Sequence, residues 1–178
     1  GRVLNDLGQT ALRIGKRVHS ETGIDRHGAS VVSVALDLAQ DVTGALSDRT
    51  ALVVGAGAMS SLSLQTLANR GVSDITVASR TTASTKRAAD LSGATPIGMD
   101  ELPGALQKAD VIVSATGANG VVITAEDIAT AMSGRPDRAL VVVDLALPHD
   151  TDPEVGAIRS VTRIDLADLA HAPGAAAS

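Results

Sequence analysis

Leu52-Val53-Val54-Gly55-Ala56-Gly57-Ala58-Met59-Ser60 reads as a buried strand that passes through a glycine turn directly into a helix. Thr50 to Val54 is short, largely apolar and partly β-branched, as a central parallel strand covered on both faces must be. Leu62, Leu64, Leu67 and Ala68 follow at a spacing suited to a helix over Ser61 to Ala68 packed on that strand. Gly55 permits a turn that a Cβ would obstruct. Gly57 lets backbone approach a pyrophosphate at the helix N-terminus, where unpaired N–H groups and partial positive charge gather. Ser60 stands where a dinucleotide fingerprint has its third glycine, and is small enough for close helix–strand packing. The same glycines would also serve a tight turn that holds no ligand.

The following strand carries more information. Ile75-Thr76-Val77-Ala78 runs into Ser79-Arg80-Thr81, which places Arg80 25 residues after Gly55. An NAD site would put a carboxylate near that position, on the ribose 2′-OH. Here a guanidinium lies between two hydroxyls, with Lys86 and Arg87 one to two turns on, a set suited to a 2′-phosphate. Alone, Arg80 would be an ordinary solvated strand-end arginine. In register with the glycine turn it points to NADPH rather than NADH. The residues expected to bind it are Gly55, Ala56, Gly57, Ala58, Met59 and Ser60 at the turn and Ser79, Arg80, Thr81 and Lys86 beside the second strand. Ala115, Thr116 and Gly117 after the fourth strand complete the set, although Thr116-Gly117 also reads as a plain strand-to-loop turn.

With 178 residues the chain has room for one domain with a real core and an appendage. A formal charge of −5 argues against a DNA- or RNA-gripping face. The basic cluster Arg13, Lys16, Arg17 and His19 fits a solvated helix face. There is no cysteine, hence no disulfide and no thiolate metal site, and His19, His27, His149 and His171 lack ligand spacing, so no metal is expected. No apolar run approaches 18 residues and no signal peptide is visible, so a cytoplasmic protein without a membrane span is expected. Phe, Tyr and Trp are absent, leaving Leu, Val, Ile, Ala and Met to fill the core.

Taken in order, Gly1 to Thr22 reads as a helix striped by Leu4, Leu7, Ala11, Ile14 and Val18, and Gly23 to Gly28 as a polar connector. A second helix over Ser30 to Thr43 presents Val31, Val34, Ala35, Leu38 and Val42 and is closed by Gly44. Strands and helices then alternate. Helices are expected over Thr82 to Ser92, Asp100 to Lys108 and Thr124 to Met132. Further strands are expected over Thr95 to Ile97, Ala109 to Ala115, Ala139 to Asp144 and Val161 to Asp165. Glu154 to Arg159 makes a helical turn, and Leu166 to Leu169 starts a last helix. Asp144, at the end of the fifth strand, either faces the ligand or bonds local N–H groups. Right-handed crossovers give an α/β fold, a doubly wound parallel sheet of Rossmann type in the order 3-2-1-4-5-6 with an N-terminal helical segment. The expected division is residues 1–46 as that segment, 47–170 as the NADPH-binding domain and 171–178 as a frayed tail.

Several stretches taken together resemble glutamyl-tRNA reductase: Gly15-Lys16-Arg17-Val18, Ser20-Glu21-Thr22, the Ser30-to-Ala39 helix, Gly55-Ala56-Gly57 with Met59, and Ser79-Arg80-Thr81. Ser114-Ala115-Thr116-Gly117 and Asp144-Leu145-Ala146-Leu147-Pro148, followed by Asp150 and Asp152-Pro153, extend the resemblance over nearly the whole chain. It departs from the family at Gly8, Ser60, Ser79 and His149. The resemblance implies an NADPH-dependent reduction of glutamyl-tRNA to glutamate-1-semialdehyde in tetrapyrrole (porphyrin and haem) synthesis. A cysteine thiolate attacks the ester and hydride then resolves the thioester. With no cysteine, the chain is expected to be the NADPH-binding domain without the catalytic and dimerisation domains, to bind cofactor without turnover, and to belong to a homodimeric parent. Two alternatives are a shikimate dehydrogenase-like NADP reductase and a non-catalytic NADPH-sensing module.

Overall fold

The computed structural model describes residues 22–172. The helix expected before Thr22, its basic cluster and the tail from 173 lie outside the described residues. Six strands, β1 (Thr50–Val54), β2 (Asp74–Ala78), β3 (Thr95–Ile97), β4 (Val111–Ser114), β5 (Leu140–Asp144) and β6 (Val161–Asp165), form one sheet. All pair in parallel, in the order β3-β2-β1-β4-β5-β6. The helices are α1 (Thr22–Thr43), α2 (Ala58–Asn69), α3 (Thr82–Ser92), α4 (Leu102–Lys108), α5 (Ala125–Ser133) and α6 (Leu166–Ala170). None is long and apolar enough to cross a membrane.

Successive strand side chains point to opposite faces, so each central strand feeds two cores. Ala51, Val53, Val77, Val113 and Val143 meet α1, α2, α3 and α6 on one side. Leu52, Val54, Ile112, Leu140 and Val142 meet α4, α5 and the 3₁₀ turn Pro153–Ala157 on the other. Burial on both faces is why β1, β4 and β5 read as unbroken apolar runs.

α1 differs from expectation in two ways. It begins at Thr22, so the stretch Gly23 to Gly28, expected as a connector, is helical. Gly28 has a packing reason to be there: a Cβ would lie 2.8 Å from the Leu62 Cδ1 of α2. Its deepest residues are Val32, Ala35, Leu36 and Ala39, while Val31, Val34 and Leu38 pack only partly and Val42 is 42% exposed. α1 is apolar over more than one stripe, and it packs against both α2 and β5. Helix α4 is also shorter than expected. A 3₁₀ turn over Met99–Glu101 precedes it, with the Glu101 carboxylate accepting from the Gly98 N–H.

At the amino end of the sheet, the buried Asp110 carboxylate ties β1, β4 and the approach to β5 together. It accepts from the Thr50 N–H at 2.9 Å and from Arg138 Nε at 2.6 Å, and Arg135 lies 3.6 Å away. Arg135, itself buried, donates to the carbonyls of Gln107, Ala109 and Ala139. Burial pushes the Asp110 carboxyl up, but the hydrogen bonds from Arg138 and Thr50 and the charges of Arg138 and Arg135 outweigh it. The group is held below the ordinary aspartate value.

Asp110→Asn leaves Arg135 buried without its counter-charge and is expected to cost about 3 kcal/mol in urea unfolding at pH 7. Because the folded-state value is depressed, this stabilisation is complete above the ordinary aspartate pKa of about 3.9 and fades as pH falls below it. The stability gap between wild type and Asp110→Asn is therefore expected to narrow on acidification; a constant gap would show that Asp110 contributes no charge interaction.

Candidate functional site

The carboxyl ends of β1, β2 and β4 open into a cleft of about 530 Å³. It sits where the strand order reverses between β1 and β4, the place at which doubly wound sheets take ligands. Gly55 leaves β1 with φ +117°, its N–H bonded to the Ala78 carbonyl at 2.7 Å. A Cβ at Gly55 would lie 2.5 Å from the Ala115 carbonyl oxygen and 2.7 Å from Ser60 Oγ. Three elements meet at that point, and only glycine fits. Gly57, at φ −85°, is the N-cap of α2; no side chain caps the helix, and a Cβ at Gly57 would meet nothing within 4 Å. Its first-turn N–H groups therefore have no side-chain cap, and Gly57 brings the start of the helix to the cleft.

Gly55, Ala56 and Gly57, then Ser79, Arg80 and Thr81, then Ala115, Thr116 and Gly117 all line this one cleft. Four of the expected residues do not. Ser60 is fully buried and donates to the Ala115 carbonyl at 3.2 Å, tying α2 to the end of β4. Met59 packs toward α1, its sulfur 3.4 Å from where a Gly28 Cβ would be. Ala58 and Lys86 are exposed but lie off the cleft wall. The structure adds Ser84 from the first turn of α3, Met99, and the arm Gly120-Val121-Val122. Ser84 is one helical position that a start at Thr82 brings toward Arg80. The arm carries no local pattern that would have revealed it.

Arg80 is exposed at the cleft edge and pairs with no carboxylate among the described residues. The Ser79 hydroxyl is bound into the turn by Thr85 and by the Thr81 carbonyl, so it braces the triplet from behind. Asp144 does not face the cleft. It is fully buried and accepts from the N–H groups of Ala146 and Thr151 and from the Thr151 hydroxyl, with Arg163 at 3.5 Å. Local bonding is therefore its role. The neighbouring buried acid, Asp150, reaches the cleft loops, a contact across 34 residues that no local signal shows.

A family model described as shikimate / quinate 5-dehydrogenase matches residues 37–172. Glutamyl-tRNA reductase of Kineococcus radiotolerans is 47% identical over 95% of this chain, which spans 38% of that protein. The solved glutamyl-tRNA reductase of Methanopyrus kandleri superposes with a TM-score of 0.74 at 37% identity, over 88% of this chain and 40% of that one. A nucleotide-binding domain of glutamyl-tRNA reductase from Thermoplasma volcanium has the same fold, with a TM-score of 0.59 at 16% identity over 78% of this chain and 87% of its own.

The two glycines are expected to respond differently to alanine. Gly55→Ala forces both a left-handed residue and a backbone overlap and should lower unfolding free energy by about 3 kcal/mol. Gly57→Ala, in open space at an allowed φ, should cost no more than about 1 kcal/mol. Urea unfolding of the two variants measures both, and equal costs would contradict the geometry of the turn.

Proposed function

The chain belongs to the shikimate / quinate 5-dehydrogenase family and is similar to glutamyl-tRNA reductases over almost its whole length, and on that premise we propose that it is the NADPH-binding domain of a glutamyl-tRNA reductase. One observation carries the proposal: a single cleft holds both an uncapped helix N-terminus at Gly57 and, at the exit of the adjacent strand, the Arg80 guanidinium, which pairs with no carboxylate among the described residues. The donor set fits the cofactor. The α2 amides take the pyrophosphate, and the open space at Gly57 admits it. Arg80, with the hydroxyls of Thr81 and Ser84, takes the 2′-phosphate. Thr116, Gly117 and the Gly120-Val122 arm border the nicotinamide half. When bound, the cofactor supplies a hydride.

In the whole protein that hydride serves the reduction of glutamyl-tRNA to glutamate-1-semialdehyde for tetrapyrrole synthesis, in a cytoplasmic homodimer. This chain has no cysteine and cannot supply the nucleophile, so its own part is to bind and orient the cofactor. Residues 47–170 carry the groups assigned to the cofactor, and residues 1–46 lead to them from the rest of the protein. Family membership favours one second reading, a shikimate dehydrogenase-like NADP reductase. Shikimate-dependent reduction of NADP by the chain would put that reading in place of the first.

Calorimetric titration is expected to show NADPH binding more tightly than NADH. Arg80→Ala should weaken NADPH by roughly 10- to 100-fold, the scale of lost charge-assisted hydrogen bonds, and leave NADH nearly unchanged. Equal affinities in the wild type, or an Arg80→Ala variant that still prefers NADPH, would overturn the assignment of the phosphate site.

A further inference from the structure

Asp150 lies outside the cleft lining, yet it joins the three segments that form the β4 side of it. Its carboxylate is fully buried and accepts from the Ser114 hydroxyl at 2.8 Å, from the Thr116 N–H at 2.7 Å and from the Thr116 hydroxyl. Its backbone carbonyl accepts from the N–H groups of Val122 at 2.6 Å and Ile123 at 3.0 Å. The Thr116 hydroxyl, its proton committed to Asp150, accepts in turn from the Ala118 N–H at 3.2 Å. A single residue on the segment after β5 thus sets the exit of β4, the 116–118 turn and the Val122 arm. Among the described residues Asp150 forms no ion pair, and its carboxylate partners are Ser114 at the end of β4 and the cleft-lining Thr116.

The other end of the cleft makes no hydrogen bond to Asp150, and it meets the β4 side where Ser60 Oγ donates to the Ala115 carbonyl. The Gly55 N–H donates to the Ala78 carbonyl, and the Ser79 hydroxyl bonds Thr85 and the Thr81 carbonyl. A ligand that spans the cleft therefore meets one wall bonded to Asp150 and another that is not. We propose that Asp150 is a positioning residue that fixes the nicotinamide-side wall through Thr116 and Val122 and leaves the adenine-side wall untouched. The proposal rests on the assignment of this cleft to NADPH.

The test compares two probes on the 178-residue chain: NADPH, which spans both walls, and adenosine 2′,5′-bisphosphate, which reaches only the adenine side. Asp150→Asn keeps the shape but replaces one acceptor oxygen with an NH2 donor, so that the hydrogen bonds accepted at that oxygen must reverse or break. Thr116→Val keeps the shape and removes the hydroxyl link. Each is expected to weaken NADPH roughly tenfold, the loss of one or two buried hydrogen bonds' worth of ordering, and to change bisphosphate affinity less than about twofold. Asp110→Asn, at the opposite end of the sheet, destabilises the fold without touching either wall and is expected to move neither affinity when measured where it is folded. Equal weakening of both probes by Asp150→Asn and Thr116→Val, or no effect on NADPH, would overturn the positioning role. If Asp150→Asn fails to fold, Thr116→Val alone decides between those outcomes. A wild-type chain that binds neither probe would instead overturn the cofactor assignment on which the proposal stands.

Discussion

The contact between Gly55 and the carbonyl of Ala115 governs how the cleft is built. β1 and β4 lie side by side, and their chains depart to helices on opposite faces of the sheet, so a crevice opens between the two exits. For α2 to begin at that crevice, the turn after β1 must lie directly on the end of β4. Any side chain at residue 55 would occupy the space of the Ala115 carbonyl and of Ser60 Oγ. It would lift the helix N-terminus, and with it the free amides, away from the sheet. Ser60 completes this junction with its own hydrogen bond to Ala115, where a third glycine would offer closeness alone.

The two ends of the sheet handle buried carboxylates in different ways. At the amino end Asp110 is matched by two arginines, one of them also buried, in an electrostatic clamp at the far end of the sheet from the cleft beside Gly55 and Arg80. At the carboxyl end Asp150 is satisfied by hydroxyls and backbone amides that belong to the cleft loops. Directional, short-range bonds to those loops define backbone shape, whereas a mobile cation there would compete for the anionic ligand that the cleft suits. The absence of aromatic residues points the same way. With no ring in the chain, the cleft presents backbone amides, hydroxyls and the Arg80 guanidinium, whose directions are set by the backbone that carries them.

Much of this was legible in the sequence because it depends on short-range rules. Strand periodicity, glycine at a turn and the handedness of crossovers led to the six strands and their order. The spacing from Gly55 to Arg80 brought the two halves of one cleft together before any coordinates. Where expectation and structure part, the difference lies in long-range contacts. Met59 and Ser60 sit in the glycine-turn motif but turn toward α1 and Ala115. Lys86 belongs to the basic set near Arg80, yet Ser84 is the residue that reaches the cleft. The apolar surface of α1 is broad enough that its pattern fits more than one buried face, and only its seat against α2 and β5 selects Leu36 over Val42.

By itself the sequence determined the parallel α/β architecture, the glycine turn and the cationic strand end, since each is written in neighbouring residues and in backbone chirality. Only the tertiary structure decided that Asp144 bonds Ala146, Thr151 and Arg163 of β6 while Asp150 bonds the cleft turn at Thr116. Two acids six residues apart, one ending β5 and one in the segment after it, are indistinguishable by local pattern. Their roles follow from the register of β5 against β4 and β6, which brings residues 34 to 36 positions distant within hydrogen-bonding reach.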